Sequence, residues 1–191
     1  MIHILTAWKT LPDAQSTATD QDLLNVASGD SDALQALYHK IAHSVYGFAL
    51  SVTRNTYDAE DILQETILTV YRKAGDYKAQ GKPMAWIFTI ARNLALMKLR
   101  ESAKTVALDW EQADCRDTFD RIGAAEDRMI LCAALRTLNG AERQIVTMHA
   151  AGMKNREIAQ VMEMPVNTVL SKYHRSIRKM KEYCKEATHE K

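Results

Sequence analysis

Between Ala59 and Ala74 the positions Ala59, Ile62, Leu63, Thr66, Ile67, Val70 and Ala74 recur at three- and four-residue steps. That spacing gathers one face of an α-helix, so these residues are expected in a core. The opposite face collects Asp61, Gln64, Glu65, Leu68 and Arg72, a mostly acidic stripe that carries one leucine. Upstream, DQDLLNVA from Asp20 reads as a short helix closed by Ser28 and Gly29, after which Asp30 and Ser31 can cap a longer one. The longer helix has Leu34, Leu37, Tyr38, Ile41, Ala42, Val45, Phe48, Ala49 and Val52 as its apolar stripe and ends around Arg54, Asn55 and Thr56. Downstream, the glycines and proline of GDYKAQGKP force a loop, and Pro83 suits the first turn of a fourth helix. That helix is expected to turn Trp86, Ile90, Ala91, Leu94 and Met97 inward.

Periodicity lapses from about Lys104 to Ala124, where Asp109, Glu111, Asp114, Asp117 and Asp120 accumulate, and resumes at Ala125. There Met129, Ile130, Ala133, Ala134 and Leu138 are expected inside. Asn139 with Glu142 has the spacing of a capping box that opens a helix around Ile145, Val146 and Met148. A short helix with Ile158, Ala159 and Met162 inward then meets a tight turn at Glu163 and Met164, followed by a long helix from Pro165 anchored by Val166 and Val169. This order is a helix-turn-helix, with small Ala159 permitting a close crossing. The fold class is all-α: two small helical domains joined by a flexible linker. The expected divisions are an extension over 1–19, a four-helix bundle over 20–103, an acidic linker over 104–124, the helix-turn-helix domain over 125–186 and a tail over 187–191.

Composition narrows the function. A hydrophobic content of 47% excludes a wholly disordered chain, and a formal net charge of +1 gives no bias toward nucleic acid as a whole. The charges are nonetheless segregated, acids over Asp58–Glu65 and Asp109–Asp120 and bases over Lys172–Lys185, which points to different partners for different segments. Cys115, Cys132 and Cys184 are scattered and lack zinc-binding spacing, which fits a reducing cytoplasm. No export signal is read at the N-terminus, and no apolar run approaches the about 18 residues that cross a bilayer, so no membrane insertion is expected. His39 and His43 lie four apart on a helix, but no third ligand is suggested nearby, and they are read as surface residues. No nucleophile, paired catalytic carboxylates or phosphate-cradling glycine loop argues for an enzyme, and no cofactor or metal is expected.

Two segments carry chemistry suited to nucleic acid. The loop with Tyr77, Lys78, Gln80 and Lys82 combines an aromatic face that can stack on an unpaired base with cations for phosphates. The last helix offers Asn167, Thr168, Ser171, Lys172, His174 and Arg175 outward, then Arg178 and Lys179: donors for base edges first and phosphate-binding bases after.

Taken together, AEDILQET, GKPMAWIFTIARNLALMKLR and REIAQVMEMPVNTVLSKYHRSIRKM resemble a bacterial RNA polymerase sigma factor of the sigma-70 family, extracytoplasmic-function (ECF) group, over roughly Asp20 to Glu186. The resemblance implies a dissociable initiation subunit without catalysis of its own. It implies that Asp61, Gln64, Glu65, Leu68 and Arg72 dock on the beta-prime clamp helices of core RNA polymerase, with the beta flap as a second contact. Tyr77, Lys78, Gln80, Lys82, Trp86 and Arg92 would meet the melted minus-ten strand, although Trp86 can equally be core. Asn167, Thr168, Leu170, Ser171, Lys172, His174, Arg175, Arg178 and Lys179 would meet the minus-thirty-five duplex, and the acidic linker would thread toward the polymerase active centre. An anti-sigma factor is a further implied partner where one exists. This chain departs from the family at Glu163 and Asn167, where glycine is common, at Lys154, where a Ser or Thr cap is usual, and at Leu170, usually basic. The competing readings are a stand-alone helix-turn-helix regulator, which would need no acidic docking stripe, and a metal or redox sensor built on His39, His43 and Cys115.

Overall fold

The structure, a computed structural model, describes residues 17–102 and 125–189, with side chains over 17–101 and 130–187. Among them are eight α-helices and no strand. They fall into two compact units. The first holds α1 (Asp20–Ala27), α2 (Ser31–Thr53), α3 (Thr56–Lys73), a 3-10 turn at Ala74–Asp76 and α4 (Pro83–Ser102); the second holds α5 (Ala125–Arg136), α6 (Gly140–Ala150), α7 (Asn155–Met162) and α8 (Val166–His189). Residues 1–16 of the extension, the linker and Cys115 lie outside the described residues.

Helix starts follow their capping residues. Thr19 and Asp22 form a reciprocal capping box on α1, Thr19 N donating to the Asp22 carboxylate at 2.8 Å and Asp22 N to Thr19 Oγ1 at 3.3 Å. Asp30 accepts from the backbone N–H groups of Asp32 and Ala33 at α2, and Asn55 from that of Asp58 at α3. Each satisfies donors that a helix N-terminus otherwise leaves unpaired. Helix α2 ends on Arg54 at φ +59°, a left-handed conformation that turns the chain back into α3.

In the first unit α2 is the central element, packed by α1, α3 and α4. Leu37, Ile41, Val45 and Phe48 of α2, Ile62 and Val70 of α3, and Ile87, Phe88, Ala91 and Ala95 of α4 are buried together. The rings of Phe48 and Phe88 meet edge to face at 5.3 Å. Two expectations change here. Tyr38 is exposed, whereas Gly47, Leu50 and Ser51 are buried, because the last turns of α2 are enclosed on all sides. On α4 the buried face is Met84, Ala85, Ile87, Phe88, Ala91 and Ala95; Trp86, Ile90 and Leu94 are half-buried and Met97 is 51% exposed. This helix is apolar on several sides, so its periodicity leaves the rotation open, and packing of Phe88 on Phe48 fixes it.

In the second unit α5, α6 and α7 all pack on α8. Leu131, Cys132, Ala134, Leu135 and Leu138 are buried; Ile130 and Ala133 are half-buried instead, and the Met129 side chain lies outside the described set. Ile145, Val146 and Met148 of α6, Ile158, Ala159, Val161 and Met162 of α7, and Val169 and Met180 of α8 complete this core. Val166 does not anchor α8: it is exposed, and Val169, one turn further on, is the first buried side chain of that helix.

Candidate functional site

Three surfaces carry the residues singled out above, two on the first unit and one on the second. On α3 the predicted stripe is outward: Asp61, Gln64 and Arg72 are exposed, Leu68 is 51% exposed and Glu65 is half-buried. Sequence reading missed Tyr57, 78% exposed, and Tyr71, 50% exposed. Positions 57, 61, 64, 68 and 71 follow the same three- and four-residue steps that picked out the core face, so the spacing held the signal. The acids are not bare. Glu65 accepts from Arg72 at 2.5 Å, and Lys98 on α4 lies 3.0 Å from Asp61 and 3.5 Å from Asp58. The Asp61 hydrogen bond raises the Lys98 pKa, partial burial works against this, and the charges of Asp61 and Asp58 add to the rise.

The second surface is the loop between α3 and α4. Lys78, Gln80 and Lys82 point to solvent. Tyr77 does not: it is 9% exposed, its hydroxyl donates to Asp20 Oδ1 at 2.5 Å, and its ring lies 5.2 Å from that of Trp86. Burial, then the Asp20 carboxylate, pushes the Tyr77 pKa up to about 12, against hydrogen bonds from the backbone at Gln80 and Lys82. Tyr77 is therefore not presented to solvent as an open stacking face: its ring lies tilted at 58° against Trp86, and the phenol is the loop's internal hub. Trp86 is half-buried beside it. Arg92, a turn and a half along α4, is half-buried with its Nε enclosed and without a hydrogen-bond partner.

The third surface is the helix-turn-helix. Met164 N bonds Ala159 O at 3.0 Å and Glu163 N bonds Gln160 O at 3.3 Å, the paired bonds of a Schellman turn, with Glu163 left-handed at φ +54°. The end of α6 uses the same pattern with Gly152 at φ +81°, so the second unit contains both the relaxed and the strained version of one turn. At the start of α7 Lys154 has no acceptor on its side chain; its N–H instead donates to the Glu157 carboxylate at 2.6 Å, giving half of a capping box. Along α8, Asn167, Ser171, His174, Arg175 and Arg178 are exposed, while Thr168, Leu170, Lys172 and Lys179 are half-buried. Lys179 is engaged with Glu142 at 3.2 Å, so it reaches a phosphate only by sharing that carboxylate. Glu142 closes the α6 capping box with Asn139. Tyr173 stacks on His149 at 3.9 Å, and His149 Nε2 lies 2.7 Å from Asn155 Oδ1, which ties α6, α7 and α8 together behind the exposed face.

His39 and His43 lie a turn apart and exposed on α2, and among the described residues no three metal-capable side chains gather. None of the described helices is long and apolar enough to cross a membrane.

Comparison with known families adds two matches in order along the chain: sigma-70 region 2 over residues 37–105 and sigma-70 region 4 over residues 128–180, together well over half its length. The chain belongs to the sigma-70 family. Its relatives place this sigma factor in the ECF group. The ECF RNA polymerase sigma factor SigL of Mycobacterium tuberculosis is 28% identical over 160 residues, covering 81% of this chain and 90% of the relative. SigK of a Mycobacterium species is 27% identical over 173 residues, covering 85% and 90%. In fold the sigma factor is similar to CnrH, solved with the cytosolic domain of CnrY, with a TM-score of 0.61, 21% identity and coverage of 85% and 94%. It is similar also to the sigma factor RpoE solved with the anti-sigma factor NepR from Bartonella quintana, with a TM-score of 0.60, 21% identity and coverage of 86% and 95%. As a sigma factor it directs transcription initiation, and the region 2 match sets it apart from a stand-alone helix-turn-helix regulator.

Proposed function

We propose that the first unit joins core RNA polymerase through α3 and holds the melted minus-ten strand on the α3–α4 loop, while α8 reads the minus-thirty-five duplex. The observation that carries the reading is the exposed row on α3, in which Tyr57, Leu68 and Tyr71 alternate with Asp61 and Gln64, flanked by Glu65 and Arg72. Aromatic anchors between charges are the composition of a protein interface rather than of a solvated helix. Basic side chains on the beta-prime clamp helices are the complementary partner, and Lys98 and Arg72 hold the acids in place until they arrive. Lys78, Gln80 and Lys82 would grip the strand backbone, with half-buried Trp86 and the unpartnered Nε of Arg92 behind them. On α8, Asn167, Thr168, Ser171, His174 and Arg175 would face base edges, with Lys172 and Arg178 on phosphates and Lys179 a weaker contributor.

In this reading residues 20–103 form the polymerase and minus-ten domain, 125–186 the minus-thirty-five domain with the beta flap as its polymerase contact, and 104–124 the linker toward the active centre. The chain contributes binding and strand separation and no covalent step. It works in the cytoplasm, in keeping with the buried thiols of Cys132 and Cys184. CnrH and RpoE, similar in fold, were each solved with a protein partner, and an anti-sigma factor that covered the α3 row of this chain would compete with polymerase. Transcription by core polymerase with and without the chain, on a library of promoter fragments, tests the whole. Transcripts with common upstream elements are expected only when the chain is present, and their absence overturns the reading.

A further inference from the structure

The α3–α4 loop is tied at two points to a residue far away in sequence. Asp20, the first residue of α1, accepts the Tyr77 hydroxyl on Oδ1 at 2.5 Å and the Gly81 backbone N–H on Oδ2 at 2.7 Å. Gly81 is left-handed at φ +69°, and the backbone at Gln80 and Lys82 turns in toward the same phenol. Lys78 and Gln80 are thereby presented outward from a closed ring of hydrogen bonds. The carboxylate is itself braced: α1 is held to α2 by the Asp22–Lys40 ion pair at 2.7 Å, and α1 begins at the Thr19–Asp22 capping box. A loop of glycines and polar residues has no core to fix its shape, so a bidentate carboxylate from a rigid helix end is what selects one conformation.

We infer that Asp20 is the positioning residue of the strand-binding loop, holding Tyr77 and Gly81 so that the loop is shaped for the unpaired promoter strand before the strand arrives. The inference rests on the assignment of that loop to the melted strand. Its consequence is arithmetic: a loop that occupies its competent shape only part of the time binds with an apparent affinity reduced by that fraction.

The test uses the full chain assembled with core polymerase, and a promoter fragment recovered from a random library by transcription with that holoenzyme. Asp20→Ala, Tyr77→Phe and the double variant are compared for binding of the unpaired minus-ten strand, for core polymerase affinity, and for exchange of the Gly81 amide in the free chain. Hydrogen bonds to a carboxylate of this kind predict a loss of strand affinity of roughly tenfold for Asp20→Ala. The double variant is expected to be little worse than Asp20→Ala, since both changes break one linkage. Gly81 exchange should quicken in Asp20→Ala while core affinity stays unchanged. Unaltered strand affinity overturns the inference, and so does an equal loss of core affinity, which would make Asp20 merely a brace of the bundle. A Lys78, Gln80 and Lys82 triple alanine variant separates the two ideas. If it loses strand binding and Asp20→Ala does not, only the positioning role falls; if it keeps strand binding, the loop assignment falls and takes the positioning role with it.

Discussion

Glu163 occupies a backbone conformation that suits glycine, φ +54°, in a turn whose twin at the end of α6 uses Gly152. A left-handed residue with a Cβ is strained by about 1 kcal/mol or more, so Glu163→Gly should stabilise the second unit by roughly 1 kcal/mol, offset in part by the greater freedom of an unfolded glycine. Chemical denaturation followed on that unit checks it; a loss of stability would mean that the Glu163 side chain makes a compensating contact. His149 gives a pH signature in the same unit. Burial lowers its pKa from 6.5, with the hydrogen bond that it makes to Asn155 Oδ1 opposing and the charge of His174 adding to the drop. The neutral form is favoured by folding, so the contribution is complete above pH 6.5 and is lost as pH falls through the lower folded value. Stability of the second unit is expected to decline from about pH 6.5 downward, and His149→Phe, which keeps a ring against Tyr173, should flatten that decline. Thermal melting between pH 5 and pH 7.5 reads the difference, and an unchanged slope would assign it to another group. Glu142 acts lower. Burial raises its pKa, but the Asn139 N–H and the Lys179 ammonium outweigh burial and hold it below 4.5, so its contribution disappears only in acid beneath that value.

At the scale of the element, α3 and α8 each present one face inward and one outward, and substitutions should separate accordingly. Reversing Asp61 and Glu65 to arginine should leave helical content intact, since neither side chain is buried in the free protein (64% and 47% exposed), while weakening core polymerase binding by several kcal/mol if the pairs become desolvated. Pull-down with core polymerase alongside circular dichroism decides, and full binding would remove α3 from the docking surface. On α8, Arg175→Ala is expected to cost about 1–3 kcal/mol at the preferred duplex and little elsewhere. Lys172→Ala should weaken all duplexes alike and reduce the salt slope by roughly one charge. Binding titrations over a salt series distinguish the two. Leu170 is half-buried, the placement of a side chain at the rim of the core. These elements were legible because amphipathic spacing and capping residues are local properties. Asp30 and Asn139 each announce a helix start in the sequence, and each accepts the expected backbone N–H; Thr19, read as part of the extension, and Asn55, read as the end of a helix, show their capping role only in the structure.

At the scale of the molecule, each unit completes a core from its own helices. Phe48→Ala should therefore destabilise the first unit by about 3–5 kcal/mol and leave amide protection in α6 and α7 unchanged. Hydrogen exchange across the whole chain measures both at once, and loss of protection in both units would show that they fold as one. The sequence alone determined the all-α class, the order of the helices, the outward acidic row of α3 and the helix-turn-helix, because these depend on residues within a few turns of one another. It did not determine which face of α4 is buried, since a helix apolar on several sides is rotated by its neighbours, here by Phe48 against Phe88. Nor could it place Tyr77: an aromatic in a glycine-rich loop reads as exposed until Asp20, 57 residues earlier, is brought to its hydroxyl. Pairings across such separations, Asp20 with Tyr77, Lys98 with Asp61 and Lys179 with Glu142, exist only once helices distant in the chain lie side by side. Periodicity describes one helix at a time, and only packing between helices chooses the partners.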